Sequence, residues 1–368
     1  MPNQAAPEAG FAPTATVTSW PFPVNSITST FTELASTVRD LGLLRRHYAF
    51  YIGSAAVLTL ALGGIITGFI LLGDSWFQLL MAGALGLWLT QAAFLGHEAS
   101  HRVILDSGPK NDRLGRWIST LAVGISYQWW MNKHSRHHQS PNTKGKDPDI
   151  EMDTISFVDE DAQKATGLLA AITRKQGYLF FPLLTFEGYN LHYRSVASLF
   201  ANGTTKQKWT ELSLIVAHFV IYLVPVFLFL PLGMAFAFVA VQMAVFGVYM
   251  GASFAPNHKG MAIIPADAKV DFFSKQVLTS RNIRGGWFMT ILMGGLNYQI
   301  EHHLFPNMAR PHLAKTRELT MIHCETHDVK YTETGLFQSY GIVIDYLNRV
   351  GLQARDPFDC PMVNKWRS

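Results

Sequence analysis

Between Arg46 and Arg102 the chain carries no lysine or arginine, and Asp74 is the only ionised side chain ahead of the pair His97-Glu98. A run of that length holds two spans of about 20 residues each, the length that a hydrocarbon core of about 30 Å demands. Gly73-Asp74-Ser75-Trp76 supplies a turn between them. The pattern recurs between Lys208 and Lys259, where Leu212 to Leu230 and Met234 to Phe254 are apolar and Leu230-Pro231-Leu232-Gly233 marks the turn. The periodicity therefore predicts two helical hairpins, four spans in all. Three further apolar stretches, Ile118 to Met131 (ending in Trp129 and Trp130), Tyr178 to Phe186 and Trp287 to Leu296, are too short to span and are expected at the interface or re-entrant. Residues 1–30 lack the basic start and apolar core of a signal peptide and read as a flexible tail. Residues 31–330 then form one membrane domain, and 331–368 a C-terminal cytoplasmic extension.

Composition supports a membrane setting. Of 368 residues, 49% are hydrophobic and 15% charged, with net charge +4 and mean hydropathy +0.14. Soluble domains carry about a quarter charged residues, so a soluble enzyme, a disordered chain and a nucleic-acid binder are all disfavoured. Neither hairpin turn contains any of the 30 lysines and arginines. All basic residues thus fall on one face, which the positive-inside rule makes cytoplasmic, together with both termini. Two cysteines, Cys324 and Cys360, give neither a disulfide framework nor a CxxC metal site.

Eight of the 14 histidines fall in four tight groups on that same side. They are His97 and His101, then His134, His137 and His138, then His258, and finally His302 and His303. Residues three and four apart share a helical face, so His97/His101 and His134/His137/His138 can each aim imidazoles at one point. Gln299 precedes His302 and His303 with the same spacing, an amide in first place. Imidazole suits iron, copper, zinc and nickel. Eight imidazoles exceed what one tetrahedral zinc can use, which makes a two-metal centre the economical reading. Each group alone has a plain alternative, such as a solvated basic loop around Lys133 and Arg136. Together, abutting apolar spans, they point to function.

His97-Glu98-Ala99-Ser100-His101, His134-Ser135-Arg136-His137-His138 and Gln299-Ile300-Glu301-His302-His303 resemble the three histidine boxes HxxxH, HxxHH and (H/Q)xxHH of the integral-membrane fatty acid desaturases. The glutamine that opens the third box is most similar to the front-end, delta-6 type (linoleoyl-CoA-like) branch, in a bacterial type without fused cytochrome b5. The resemblance covers roughly residues 45–330. It implies an all-α integral membrane fold of two hairpins with a cytoplasmic helical cap holding a non-haem di-iron site. It also implies O2-dependent insertion of a cis double bond into a fatty acyl chain carried by CoA or lipid. The implied ligands are His97, His101, His134, His137, His138, His302 and His303, with His258 from the segment after the second hairpin. For Gln299 two readings stand, direct coordination or holding a ligand or water, and His192 is a further candidate ligand. His47, His218, His312, His323 and His327 match no box and read as structural or surface residues. The sequence contains no His-Pro-Gly-Gly haem motif, so electrons are expected from a separate protein such as a ferredoxin or flavoprotein reductase.

Acidic residues near the boxes are candidates to orient imidazoles through their second nitrogen. Glu98, Glu301, Asp147 and Asp149 are placed for this, and the two aspartates also suit helix capping. Lys144, Lys146, Lys259, Arg310 and Lys315 suit either an acidic electron carrier or anionic headgroups. Two other classes remain beside the desaturase: a membrane di-iron hydroxylase or ketolase acting on a lipid or hydrocarbon, and a non-catalytic metal-binding transporter or sensor. The third box argues against the first. Against the second stands the near absence of ionisable groups within the spans, where His218 is the only histidine.

Overall fold

The computed structural model describes residues 27–201 and 207–353. Most of the expected N-terminal tail and the end of the C-terminal extension, with Cys360, lie outside the described residues. Helix α1 (Ile27–Asp40) precedes the first hairpin, α2 (Tyr48–Leu72) and α3 (Gln78–Ser100). Helix α4 (Gly108–Arg116) runs into a π-helical turn, Trp117–Ala122, followed by α5 (Tyr127–Gln139), α6 (Asp159–Lys164), α7 (Gly167–Thr173), α8 (Gln176–Leu184) and α9 (Glu187–Ser198). The second hairpin is α10 (Lys208–Phe229) and α11 (Leu232–His258). Then come α12 (Phe272–Leu278), β1 (Asn282–Ile283), α13 (Gly286–Leu292), a 3-10 turn (Leu296–Tyr298), α14 (Gln299–Leu304), α15 (Arg310–Thr326), β2 (Glu333–Thr334) and α16 (Leu336–Gln353).

Helices α2, α3, α10 and α11 are each long and apolar enough to cross a membrane. Both turns fall where the sequence places them. In the first, Gln78 Nε2 donates to the carbonyls of Phe69 and Gly73, satisfying acceptors left open at the helix end. The four helices are not equivalent. Buried residues make up 44% and 39% of the apolar windows of α3 and α11, against 0% and 17% for α2 and α10. The inner pair α3–α11 packs along its length, and α2 and α10 present their sides outward. A Cβ on Gly86 would stand 2.8 Å from the carbonyl oxygen of Gln242, so glycine permits this close approach of backbones.

The expectation of an all-α chain needs one correction. Strands β1 and β2 pair in parallel, Asn282 opposite Glu333 and Ile283 opposite Thr334. Two-residue strands lie below the length at which alternation is readable in a sequence. The short apolar stretches form the π-helical turn leading into α5, α8, and α13 with the 3-10 turn. Helix α16, within the expected extension, packs on α8 and α11, with Val343 and Leu347 fully buried.

Candidate metal centre and adjoining cavity

The inner helices α3 and α11 end in histidine. His97 lies in the last turn of α3, His101 caps it, and His258 closes α11. Helices α5 and α14 lay the remaining box histidines across these ends, and all eight box and post-hairpin histidines gather there in two clusters. His97, His101, His134, His138 and His302 form one; His137, His258 and His303 form the other. Within each, one ring nitrogen per residue lies within 4.8 Å of the rest. The Nε2 atoms of His97 and His101 stand 3.0 and 2.8 Å from that of His134. Those of His137 and His258 are 3.3 Å apart. The rings of His138 and His303 stack at 4.2 Å and join the two clusters.

His137 therefore does not share a target with His134 and His138, as the box spacing had suggested. On a helix, residues four apart are rotated by about 40° and adjacent residues by about 100°. His134 and His138 keep one target while His137 faces the other. The third box divides the same way. Gln299 and His303, four apart, face the smaller cluster, with Gln299 Nε2 2.9 Å from His258 Nε2, and His302 turns to the larger.

In the smaller cluster every imidazole has its second nitrogen fixed. His137 Nδ1–H donates to both carboxylate oxygens of Asp147, at 3.0 and 3.1 Å. His258 Nδ1–H donates to the Thr279 carbonyl at 2.9 Å. His303 Nδ1–H donates to Gln276 Oε1 at 2.9 Å, while Gln276 Nε2 donates to the His138 carbonyl. Such bonds settle the tautomer and leave the Nε2 lone pair facing inward. Asp149 lies farther off, its carboxylate 3.4 Å from His137 Nδ1 and 2.5 Å from Lys133 Nζ.

Glu98 and Glu301, considered as imidazole partners from sequence, point elsewhere. Glu98 receives Arg310 Nε at 3.2 Å and the Tyr51 hydroxyl at 3.0 Å. Glu301 receives Asn282 Nδ2 at 2.7 Å and the Tyr331 hydroxyl at 2.9 Å, and burial pushes its pKa up to about 7. Two residues from both Gln299 and His303, Glu301 sits about 200° around the helix, on the side away from the rings. His192 also lies outside the clusters, its ring nitrogens 2.7 and 3.1 Å from the carbonyls of Gly188 and Val123. Of the basic residues considered for docking, Arg310 is held on Glu98, Lys144 on Glu160 and Lys315 on Glu318. Lys146 and Lys259 donate to the carbonyls of Ala266 and Asp149.

Glu211 is the supporting residue that spacing alone does not expose. Fully buried in the first turn of α10, it accepts Arg116 Nε and the Gln128 N–H, both at 3.2 Å, and the Ser126 hydroxyl. The N-terminus of α5, which carries the second box, is thereby tied to the apolar helix α10. A carboxylate at the head of an apolar run was the available signal.

Burial holds the imidazoles neutral. It pushes the pKa of His101 down to about 3, and those of His134, His138, His302 and His303 well below the usual value, with neighbouring rings adding to the effect. His137 is the exception: burial pulls it down, but Asp147 and Asp149 outweigh that and raise it. Several buried nitrogens meet no hydrogen-bond partner among the described residues: His97 Nδ1, both nitrogens of His138, and the Nε2 atoms of His302 and His303. Unpartnered buried nitrogens are costly. Neutral, convergent and orphaned imidazoles are what a soft-to-borderline metal ion binds.

A cavity of about 1200 Å³ opens onto the clusters. His134, His137, His258 and Gln299 line it, together with aromatic and aliphatic side chains such as Trp129, Trp130, Phe254, Leu184 and Met250 and with charged ones such as Lys133, Asp149 and Glu187. The volume lies above the usual range of about 300–1000 Å³ for small-molecule sites.

The sequence matches the family model described as fatty acid desaturase over residues 74–335. Among curated proteins, the Delta(8)-fatty-acid desaturase of Helianthus annuus is 26% identical over 91% of this chain and 76% of its own length. The corresponding enzyme of Borago officinalis is 24% identical, over 94% and 80%. The Delta(6)-fatty-acid desaturase of Caenorhabditis elegans is 27% identical, over 87% and 74%.

Proposed function

The chain belongs to the fatty acid desaturase family, and from that premise we propose how this oxidoreductase acts on a fatty acyl chain. Two iron ions are held at the paired clusters, one by His97, His101, His134, His138 and His302, the other by His137, His258 and His303, with the Gln299 amide beside it. With O2 and two electrons from outside, such a centre supplies the oxidising power to remove hydrogen from unactivated methylenes, which side-chain acids and bases cannot do. The product is a cis olefin, placed as in the front-end branch, an assignment supported by relatives named for positions 6 and 8.

The protein's own task is positioning. Successive methylenes differ hardly at all in chemistry, so the walls of the cavity decide which pair reacts. Trp130 stacks on His134 at 4.8 Å between ring centroids and stands 6.1 Å from Phe254, so an aromatic wall leads directly to the imidazoles. Asp147, Gln276 and the Thr279 carbonyl keep the smaller set of rings aimed. Glu211 and the pair Glu98–Arg310 hold α5, α3 and the segment after the third box in register.

The centre lies on the cytoplasmic side beneath a cap of short helices, since neither hairpin turn carries a positive charge. Residues 31–330 are the desaturase domain, preceded by a tail and followed by an extension that α16 anchors. Electrons come from a separate carrier, a ferredoxin or flavoprotein reductase.

The observation that carries this reading is the pair of buried imidazole clusters beside a large cavity partly lined by aromatic and aliphatic side chains. Its test is a fatty-acid profile, by gas chromatography with mass spectrometry of double-bond adducts, of cells expressing the intact protein or His137→Ala. An unsaturated acid absent from the variant is expected, and its adduct gives the bond position. A hydroxylated product, or identical profiles together with no iron in the purified protein, would overturn it.

A further inference from the structure

Of the histidines outside the boxes, His218 lies buried within the apolar helix α10. Opposite it runs the segment that leads into α5: the π-helical turn Trp117–Ala122, then Val123, Gly124, Ile125 and the N-cap Ser126. The turn packs against α3, α4 and α10, and Val123, Ile125 and Ser126 are buried. Helical bonding breaks down here, because the N–H groups that would reach back to the carbonyls of Leu121 and Val123 are taken elsewhere. The Ile125 N–H goes to the Ser119 carbonyl at 2.8 Å, that of Ser126 to Ser195 Oγ at 2.6 Å, that of Tyr127 to Thr120 Oγ1 at 3.1 Å, and that of Gln128 to Glu211. A buried carbonyl left without a donor is costly.

His218 supplies such a donor: its Nδ1–H donates to the Leu121 carbonyl at 3.0 Å. The ring of His192, on α9, lies beside it at 6.1 Å, with Nε2 3.1 Å from the Val123 carbonyl. The two rings close on Gly124. Its φ of +84° favours glycine, and a Cβ there would stand 2.5 Å from His218 Cδ2 and 3.0 Å from His192 Nε2. On α10, His218 follows Glu211 by two helical turns, so both face the same side about 10 Å apart. Glu211 grips the first turn of α5, and His218 the turn before it. One point of attachment leaves a helix free to swing, and two do not.

We propose that His218 is a positioning residue for the second histidine box. Through the Leu121 carbonyl it sets the angle at which α5 carries His134, His137 and His138 to the two clusters. The proposal rests on the reading of those clusters as the metal centre of a desaturase. Because α5 supplies imidazoles to both clusters, a loosened α5 empties both, whereas loss of a single ligand acts first on its own.

His218→Leu and His218→Asn test this. Leucine fills similar space without a donor, while asparagine carries an N–H group on Cγ, where the imidazole carries Nδ1. Iron per chain and Mössbauer spectra are measured on purified protein, and unsaturated product in the expressing cells. His218→Leu is expected to lower product about 10-fold or more, as loss of an orienting partner does, and to lose iron from both sites in parallel. His218→Asn is expected to restore most of both. Wild-type iron and product in His218→Leu, iron lost from one site alone, or losses in His218→Asn as deep as in His218→Leu overturn the proposal and leave desaturation standing. Should His218→Leu fail to accumulate as folded protein, His218→Asn decides alone: iron near the wild-type level supports the proposal, and folded protein poor in iron overturns it. Absence of both iron and product from the intact protein overturns the functional reading, and the proposal with it.

Discussion

The two histidine clusters are built by different means. In the smaller, three imidazoles are oriented ring by ring, each with an Nδ1–H bond to Asp147, the Thr279 carbonyl or Gln276. In the larger, five imidazoles converge, yet His97 Nδ1 and both nitrogens of His138 lack such a bond among the described residues. What fixes the larger cluster is the scaffold. Glu98, next to His97, is clamped to Arg310 beyond the third box and to Tyr51 on α2. A site with few ligands has no redundancy and needs each one aimed. A site with five can rely on the helices that carry them.

Removing one ring from each cluster tests this most severely. His137→Ala and His302→Ala are both expected to abolish turnover while the protein still inserts in membranes. Metal content should separate them, because His137 is one of three imidazoles and His302 one of five. Iron per chain, measured on purified protein, should fall further in His137→Ala. Equal loss in both would dissolve the distinction, and retained turnover in either would remove that residue from the ligand set.

The clamp is the next target. Arg310→Met leaves the Glu98 carboxylate buried with only Tyr51 for company, and breaking a buried pair in this way costs about 3–5 kcal/mol. Thermal unfolding in detergent should register it. Adding Glu98→Gln should recover much of the loss, since removing both charges is far cheaper than removing one. A double variant no more stable than the single one would show that the pair does not act as a unit.

How far the sequence could be read follows from the same contrast. The hairpins, their turns and the convergence of eight histidines follow from charge-free runs and from spacings that a helix turns into faces. The division of His137 from His138, and of His302 from His303, rests on the 100° step of the helix and on where each helix docks, and spacing states only the first. Glu98 and Glu301 were readable as near the site but not as facing away from it. Gln276, Thr279 and Asn257 were not readable. Each is a single polar group from a distant segment, and hydrogen bonding to an imidazole or to Gln299 leaves no periodic trace. Glu211 left a faint trace only because its surroundings are apolar.

Asp147 isolates the value of aiming one ring. Asp147→Ala removes the acceptor for His137 Nδ1–H, and losses of about 10–100-fold in metal affinity or activity are typical of such partners. Asp147→Asn keeps an acceptor and should cost less. The larger cluster contains no equivalent bond to cut at His138. If Asp147→Ala turns over at the full rate, with iron content unchanged, the smaller cluster is held by its scaffold as the larger one is.

The smallest effect is expected at Gln299. Its amide nitrogen stands 2.9 Å from His258 Nε2, and its oxygen accepts Asn257 Nδ2 at 3.0 Å, so Asn257 holds the amide as Gln276 holds His303. An amide adds one weak ligand or a hydrogen bond, whereas an imidazole at the same place, four residues before His303, would add a fourth ring to the smaller cluster. Gln299→His should therefore keep most of the turnover and bind iron at least as well. Gln299→Leu fills the same space with no polar atom and should lower both, by less than the loss in Asp147→Ala. Product formed per chain and iron per chain decide the matter together. Wild-type values of both in Gln299→Leu would leave the smaller cluster with three imidazoles alone, and all of its precision would then rest on the Nδ1 bonds.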